Sequence, residues 1–270
     1  MKFATLKSCR GGGMRNRGGF FAAVSVGLAL SCAPAWSQSG IDPEADAILL
    51  AMAEQLKGLK AFSVDYDVDH EIVDLTGQKL QYSASGTMTT SRGSGFLMTR
   101  KGPYADLEVS FDGKVISLYG KGLNVYAQMD SPGPSIEAAV QEFRMSTGLD
   151  AAGADLLSDD PYAVLTENVV SGALVGTAFV GGVESDHLAF RNDAVDWQIW
   201  IGKGEQKLPL KYVITTKWLT GAPQYSLRLS NWNVGEVDAK LFSFTPAADA
   251  KKLEAVNADA IGELTLEGGE

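Results

Sequence analysis

Few residues in the chain could do acid–base, nucleophilic or metal chemistry, and their spacing is poor for it. The 270 residues include two histidines, His70 and His187, and two cysteines, Cys9 and Cys32. Neither histidine has a nucleophile or a second metal ligand at a useful spacing, so each reads as a structural or surface residue. No G-x-S-x-G elbow is present, and Gly93-Ser94-Gly95 lacks the lysine and spacing of a phosphate loop. Asp65, Asp67 and Asp69, at alternate positions, resemble the opening of a calcium loop, in which several carboxylate oxygens surround a hard cation. However, His70 stands where that loop needs glycine and Thr76 where it needs a bidentate glutamate. On a strand the three carboxylates would sit about 6 to 7 Å apart along one face, too far for a compact cage. The pairs Asp159-Asp160 and Asp193/Asp196 invite a general-acid role, but a helix N-cap and a turn account for them more simply. The chain therefore reads as non-enzymatic, with no catalytic residue, metal ligand or cofactor.

The remaining candidates are apolar and aromatic: Tyr66, Val68, Tyr82, Met88, Met98, Phe143, Leu165, Trp197, Ile199 and Tyr212. Each occupies a position expected to face inward. Adaptable thioethers and amphipathic tyrosines suit a variable apolar ligand. These side chains are expected to surround an elongated pocket for a hydrophobic small molecule or lipid.

The elements that must position them follow from periodicity. DPEADAILLAMAEQLKGLKAF places Ala47, Leu50, Met52, Leu56 and Leu59 at helical spacings, with Asp42 before Pro43 as the N-cap, and predicts a helix over 43–58. The period then changes to two. Phe62, Val64, Tyr66, Val68, His70 and Ile72 alternate with polar residues, and after the turn Thr76-Gly77-Gln78 a returning strand runs from Leu80 to Thr90. Shorter strands are expected at Phe96–Lys101, Tyr104–Phe111, Val115–Tyr119 and Asn124–Met129. Ser135 caps a helix over 136–147 that ends at Gly148, and Asp160-Pro161 opens another over 161–168. Strands return at Ala173–Val180, Glu184–Arg191, Val195–Ile201, Leu208–Leu219 and Tyr225–Val234. No βαβ alternation is visible. The expected class is α+β, a single strongly curved antiparallel sheet or half-barrel of about 11 strands, with helices covering its concave face.

Residues 1–37 read as a signal peptide: basic positions up to Arg17, an apolar run from Phe20 to Leu30, then SCAPAWSQ. That run is too short to cross a hydrocarbon core of about 30 Å, so no stable membrane insertion is expected. Ala35-Trp36-Ser37 supplies small residues for cleavage before Gln38, with Ala33-Pro34-Ala35 as a second choice. A lipoprotein signal at Ala29-Leu30-Ser31-Cys32, acylated at Cys32, is the rival reading, and Met14 is a second possible start. Residues 38–253 would form the half-barrel and 254–270 a flexible tail. The leader holds five basic residues and no acidic one, so the remaining 233 residues carry 18 basic and 33 acidic side chains, a formal charge of −15. That balance disfavours nucleic acid and anionic lipid surfaces as partners.

The stretch LAFRNDAVDWQIWIGKGEQKLPLK, with DPYAVLTENVVSG and SPGPSIEAAVQEF upstream, resembles a family of predicted periplasmic proteins of unknown function, domain of unknown function 2092. That family is similar to the lipoprotein-carrier fold of LolA, LolB, LppX and RseB, and the resemblance spans about Asp46 to Leu253. It implies a half-barrel of about eleven antiparallel strands around an apolar cavity, in a periplasmic protein. No carrier contact residue aligns to this chain, and the −15 charge departs from what docking to an anionic membrane would favour. A carrier or binder of a lipid, acyl chain or lipoprotein is the first functional class. A periplasmic sensor or protein-interaction module of the RseB-like kind, with a periplasmic protein partner, is the second, and an enzyme the third.

Overall fold

The computed structural model describes residues 40–102, 106–148 and 153–254. The expected signal peptide, its Cys32 alternative and nearly all of the expected tail lie outside these residues. After a two-residue strand β1 (Gly40–Ile41), helix α1 (Pro43–Gly58) starts where proline fixes the first turn and the Asp42 carboxylate accepts from the Glu44 N–H at 2.8 Å. Its buried side is Ala45, Leu49, Met52, Ala53 and Leu56. The helix is thus rotated from the expected stripe: Leu50 and Ala47 point outward, while Ala45 and Leu49 enter the buried cluster instead.

The next six strands form one antiparallel meander. They are β2 (Ala61–Val73), β3 (Lys79–Ser91), β4 (Gly95–Lys101), β5 (Asp106–Phe111), β6 (Val115–Gly120) and β7 (Val125–Asp130). Gly93-Ser94-Gly95 is the hairpin between β3 and β4. At Gly95, with φ +143°, a Cβ would stand 1.8 Å from the Phe111 carbonyl oxygen, so close strand approach is the reason for glycine there. Helix α2 (Ile136–Thr147) is capped by Ser135, which accepts from the Ala138 N–H at 3.1 Å, and closed by the left-handed Gly148. A 3₁₀ turn (Ala154–Leu157) and helix α3 (Pro161–Thr166) complete the helical middle. Helix α3 stops two residues before its expected end because Asn168 turns to positive φ.

The second run is β8 (Ser171–Val180), β9 (Val183–Arg191), β10 (Val195–Gly202), β11 (Pro209–Thr216) and β12 (Gln224–Val234), followed by a 3₁₀ turn (Ala239–Phe242) and the two-residue strand β13 (Lys251–Lys252). All thirteen strands belong to one large, open, curved sheet in the order β1-β8-β9-β10-β11-β12-β2-β3-β4-β5-β6-β7-β13. The count corrects the expected eleven, and the sheet is not wholly antiparallel. β1 joins β8, and β13 joins β7, as two-residue parallel pairs at opposite edges. Two residues cannot show a period, so these edges leave no trace in the hydropathy pattern. The two halves of the chain meet where β12 pairs with β2: Leu227 faces Val68 and Tyr225 faces His70.

One buried cluster unites the inward faces of the strands with the apolar sides of α1, α2, α3 and the first 3₁₀ turn. A separate element covers the other face of the β2–β7 meander. Ser110 and Ser117 alternate with inward residues, yet they are 2% and 3% exposed. The second 3₁₀ turn lies against β4, and its Phe242 is 1% exposed. Just beyond it, the Phe244 ring packs between Tyr119 and Tyr126, at 5.7 and 5.6 Å between centroids.

Candidate functional site

Register decides which inward residues become neighbours, because residues opposite one another on adjacent strands share a face. Across the second run and on into β2 and β3, one row reads Leu174, Leu188, Ile199, Tyr212, Leu227, Val68 and Ala84, one residue per strand. A second row reads Gly172, Phe190, Trp197, Ile214, Tyr225, His70 and Tyr82. A third, on the other half of the sheet, reads Val64, Met88, Met98, Val109, Leu118 and Ala127. These rows make one broad apolar surface, on which Phe143 of α2 and Leu165 of α3 stand from the helical side.

The ten candidate residues meet three different fates in the structure. Tyr66, Val68, Met88, Phe143, Leu165, Trp197, Ile199 and Tyr212 belong to the central cluster, and Met98 is packed against it. Tyr82 shares the face but lies beyond the cluster, at the far end of the second row beside His70 and Tyr225. There the His70 and Tyr225 rings meet edge to face at 6.0 Å. The surface also contains residues that were not candidates: Leu188, Phe190, Leu227 and Leu156 are buried in the same cluster. The three strand residues are inward by the same two-residue alternation. Leu156 lies in a short 3₁₀ turn whose period is too brief to read.

Two aromatic anchors depend on glycine. Phe190 stacks on Trp197 at 4.1 Å between centroids, and Trp197 meets Tyr212 edge to face at 5.8 Å. A Cβ at Gly172 would stand 2.4 Å from the Phe190 ring, so the bare backbone makes room for that stack. Tyr66 lies across Gly86, where a Cβ would stand 2.7 Å from the phenol ring. Its hydroxyl donates to the Thr99 carbonyl on β4 at 2.7 Å. Tyr66 is thus a cross-strand tie as well as a wall residue.

The helical cover is held by polar contacts. Arg92, in the β3–β4 hairpin, donates to the carbonyls of Leu56, Leu157 and Ser158 at 3.3 to 3.4 Å and lies 3.7 Å from the Asp159 carboxylate. It joins the last turn of α1 to the end of the 3₁₀ turn and the residues before α3. Burial lowers its pKa against the opposing pull of Asp159. On α3, the Tyr162 hydroxyl donates to Asp46 of α1 at 2.5 Å, and this bond to the carboxylate raises the phenol pKa. The approach of helix to sheet is made mainly by α1 against β8 and β9, while α2 packs chiefly on the 3₁₀ turn. Where that turn begins, a Cβ on Gly153 would touch Leu227 of the first row at 2.8 Å. Tyr212, buried in that row, has its phenol pKa pushed up by burial and by the Asp155 carboxylate, which is itself 3.5 Å from Arg144.

The acids that suggested a calcium loop have other occupations. Asp65 accepts from the Asn231 amide at 2.8 Å and Asp67 from the Ser85 hydroxyl at 2.5 Å. Asp69 accepts from Ser83 at 2.6 Å and pairs with Arg228 at 3.0 Å. They are cross-strand links on the outward face. Among the described residues no group of three or more His, Cys, Asp or Glu side chains is placed to hold a metal ion. Asp160 caps α3, accepting from the Ala163 N–H at 3.1 Å, and Asp196 pairs with Arg191 and Lys217 at 3.0 Å. On the outward face the His187 ring stacks on Trp200 at 4.1 Å and meets Gln198 at 2.9 Å.

The sequence matches the family described as "Predicted periplasmic protein (DUF2092)" over residues 45–256. No curated protein matches it. Among solved structures it is similar to LprF from Mycobacterium bovis, at 16% identity and a TM-score of 0.45, over 78% of this chain and 100% of that one. It is also similar to the lipoprotein LppX of Mycobacterium tuberculosis, at 15% identity and a TM-score of 0.37, over 73% and 99%. A third likeness is to the MucA/MucB complex of Pseudomonas aeruginosa, at 16% identity and a TM-score of 0.41, over 75% and 61%. All three are remote, so this chain's own residues must carry any functional reading. Among the described residues no helix is long and apolar enough to cross a membrane.

Proposed function

Since the chain belongs to the predicted periplasmic protein family DUF2092, we propose that it is exported and released from its leader, and that it binds a hydrophobic ligand between sheet and helical cover. The observation that carries this reading is the continuous apolar surface of three cross-strand rows, faced by helices of which α1 makes the main approach to the sheet, at β8 and β9. Side chains rather than backbone span the remaining separation, and side chains can be displaced by an acyl chain of similar polarity. Met88 and Met98 lie opposite each other there, and unbranched thioethers repack around variable shapes at low cost. The Arg92 and Tyr162 contacts tie α1, the end of the 3₁₀ turn and α3 together, which leaves α2 as the part that yields.

Burying a sixteen-carbon chain would gain about 12 kcal/mol gross at ~0.8 kcal/mol per methylene. Ordering the chain offsets much of this, and a membrane offers the same apolar surroundings. The resulting net affinity is modest and suits a carrier better than a store. In this reading no covalent chemistry is required, and the two histidines stay structural.

Two measurements test it. Solvent extraction of protein purified from the periplasm, followed by mass spectrometry, should yield a stoichiometric lipid. A fluorescent fatty acid should be taken up by the wild-type protein and excluded by Met88→Asp, which puts a charge in the third row. Met98→Asp, at a half-buried position of the same row, should do the same with less cost to folding. A folded wild-type protein that carries no lipid and takes up no apolar probe would overturn the carrier reading in favour of a protein-interaction module.

A further inference from the structure

In a chain with 33 acidic and 23 basic residues, charge is divided unevenly between the two faces of the β2–β7 meander. Its strands pair without a register shift, so each side chain's face follows from the row it belongs to. Every acid of these strands, from Asp65 and Glu71 on β2 to Asp106 and Glu108 on β5 and Asp130 on β7, takes an outward position. On their inward face stands one formally charged side chain, Arg100. Tyr66 lies opposite Gly86, Gly86 opposite Arg100, and Arg100 opposite Leu107. Tyr66 and Leu107 are both buried in the central cluster, so the half-buried Arg100 is a cation set at the level of the apolar rows.

Arg100 also marks an end of that surface. Along β4 the inward positions run Phe96, Met98 and Arg100. Two residues on is Gly102, where a Cβ would stand 2.9 Å from the Ala84 methyl. The row of Val68 and Ala84 therefore meets bare backbone there, and Arg100 is the last inward side chain of β4. His70, Tyr82 and Tyr225, the polar-tipped rings that close the second row, lie toward the same end of the strands. At the opposite end the Arg92 hairpin closes on α1 and the 3₁₀ turn. Other charges near the interior are paired within the protein. Glu184 and Asp186, at the end of β9 remote from Arg100, meet Lys203 at 3.4 and 3.3 Å. On the cover, Asp46 accepts from Tyr162, and Asp155 lies 3.5 Å from Arg144.

Arginine suits such a boundary. Its methylenes lie along apolar surface while its head reaches toward water. The guanidinium presents five N–H donors in a planar fork, enough to serve a wall contact and an oxyanion together. An acyl chain lying on the rows brings its own polar head to the same boundary, and no carboxylate of these strands stands on the inward face to repel an acidic one. We infer that Arg100 binds the anionic headgroup, carboxylate or phosphate, of an amphiphile whose chain lies on the apolar rows. This rests on the carrier reading above and names the ligand class for it: an acidic lipid and not a neutral one.

The test is displacement of an uncharged fluorescent probe, from the exported protein stripped of lipid, by dodecanoate, dodecyl phosphate and dodecanol. The two acids should bind at least about tenfold more tightly than the alcohol, and added salt should narrow the difference. Arg100→Gln should bring the acids to within about twofold of the alcohol and leave the alcohol's own affinity unchanged. Arg100→Lys, which keeps the charge and loses the fork, should retain part of the preference. Tighter binding of the phosphate points to a phospholipid head and tighter binding of the carboxylate to a free fatty acid; either supports the inference. Circular dichroism checks the fold of both variants, and if neither folds, the wild-type preference and its salt dependence decide alone. Equal affinities for acids and alcohol in the wild type, or a preference that Arg100→Gln leaves intact, overturn the headgroup assignment while the carrier reading stands. Failure of all three compounds to displace the probe, or of the probe to bind, overturns both.

Discussion

Tyr66 and Gly86 explain each other. The phenol can reach the Thr99 carbonyl only because no Cβ stands in its path, and the bare glycine in mid-strand is tolerated because the ring covers it. Tyr66→Phe should cost about 1 kcal/mol through loss of one hydrogen bond. Gly86→Ala should cost more, roughly 2 to 3 kcal/mol, since its Cβ would stand 1.9 Å from the Thr99 carbonyl oxygen and 2.7 Å from the ring, so that the β3–β4 pairing as well as the ring must shift. Urea unfolding of the two variants checks this, and an alanine that costs less than the phenylalanine would show that strand and ring give way easily.

His187 bears on the pH dependence of stability. Burial, aided by the Lys211 ammonium, lowers the imidazole pKa against the opposing effect of its bond to Gln198. The unfolded chain therefore binds the proton more readily than the folded one. The stability this group contributes is complete above the unfolded pKa of about 6.5, and it is lost as pH falls from there through the lower folded value. His187→Gln should flatten that part of the decline. An unchanged slope of stability against pH in that window would count against the assignment.

Among the elements, the clamp between hairpin and helices is the informative one. Arg92 serves three carbonyls that end α1 and precede α3. Arg92→Ala should destabilise the protein by about 2 to 3 kcal/mol, the range for stranding buried polar groups. It should also speed hydrogen exchange in residues 154–166 more than in β2 or β3. Uniform acceleration throughout the chain would mean that Arg92 supports global stability and not the cover. The 3₁₀ turn carrying Phe242 is a second element with a specific load: Phe242→Ala should cost about 3 to 5 kcal/mol. Because Phe242 covers the outward face of β4, away from the apolar rows, that loss should leave uptake of a fatty-acid probe per folded molecule unchanged. Probe titration against the folded fraction measures it.

For the whole molecule, the two halves of the sheet are expected to act as one surface. The rows of Trp197 and Val68 cross the β12–β2 junction without interruption, so a ligand lying along them would touch strands from both ends of the chain. Trp197→Ala and Met88→Asp should therefore each reduce probe uptake, although the residues come from opposite halves. If Trp197→Ala leaves uptake intact while Met88→Asp abolishes it, the ligand is confined to the β2–β7 meander.

The alternation over Phe62–Ile72 and Leu80–Thr90, the caps at Asp42 and Ser135, and the helical middle were all legible in the linear chain. Each depends on contacts within a few residues or on a side chain's simple choice between water and interior. Nine of the ten candidate side chains accordingly fell in or against the central cluster. Register could not be read in the same way. It is fixed by hydrogen bonds between residues as far apart as Val68 and Leu227, and a shift of two residues would leave the alternation intact while regrouping every row. For this reason Tyr82, with the same period as Met88, lies at the far end of its row beside His70, and the two-residue edge strands went unseen. The stripe of α1 was misjudged for a related cause. Its sequence is apolar on more than one side, and the face to be buried was chosen by the strands and helices it met, which bury Ala45 and Leu49 and leave Leu50 in water.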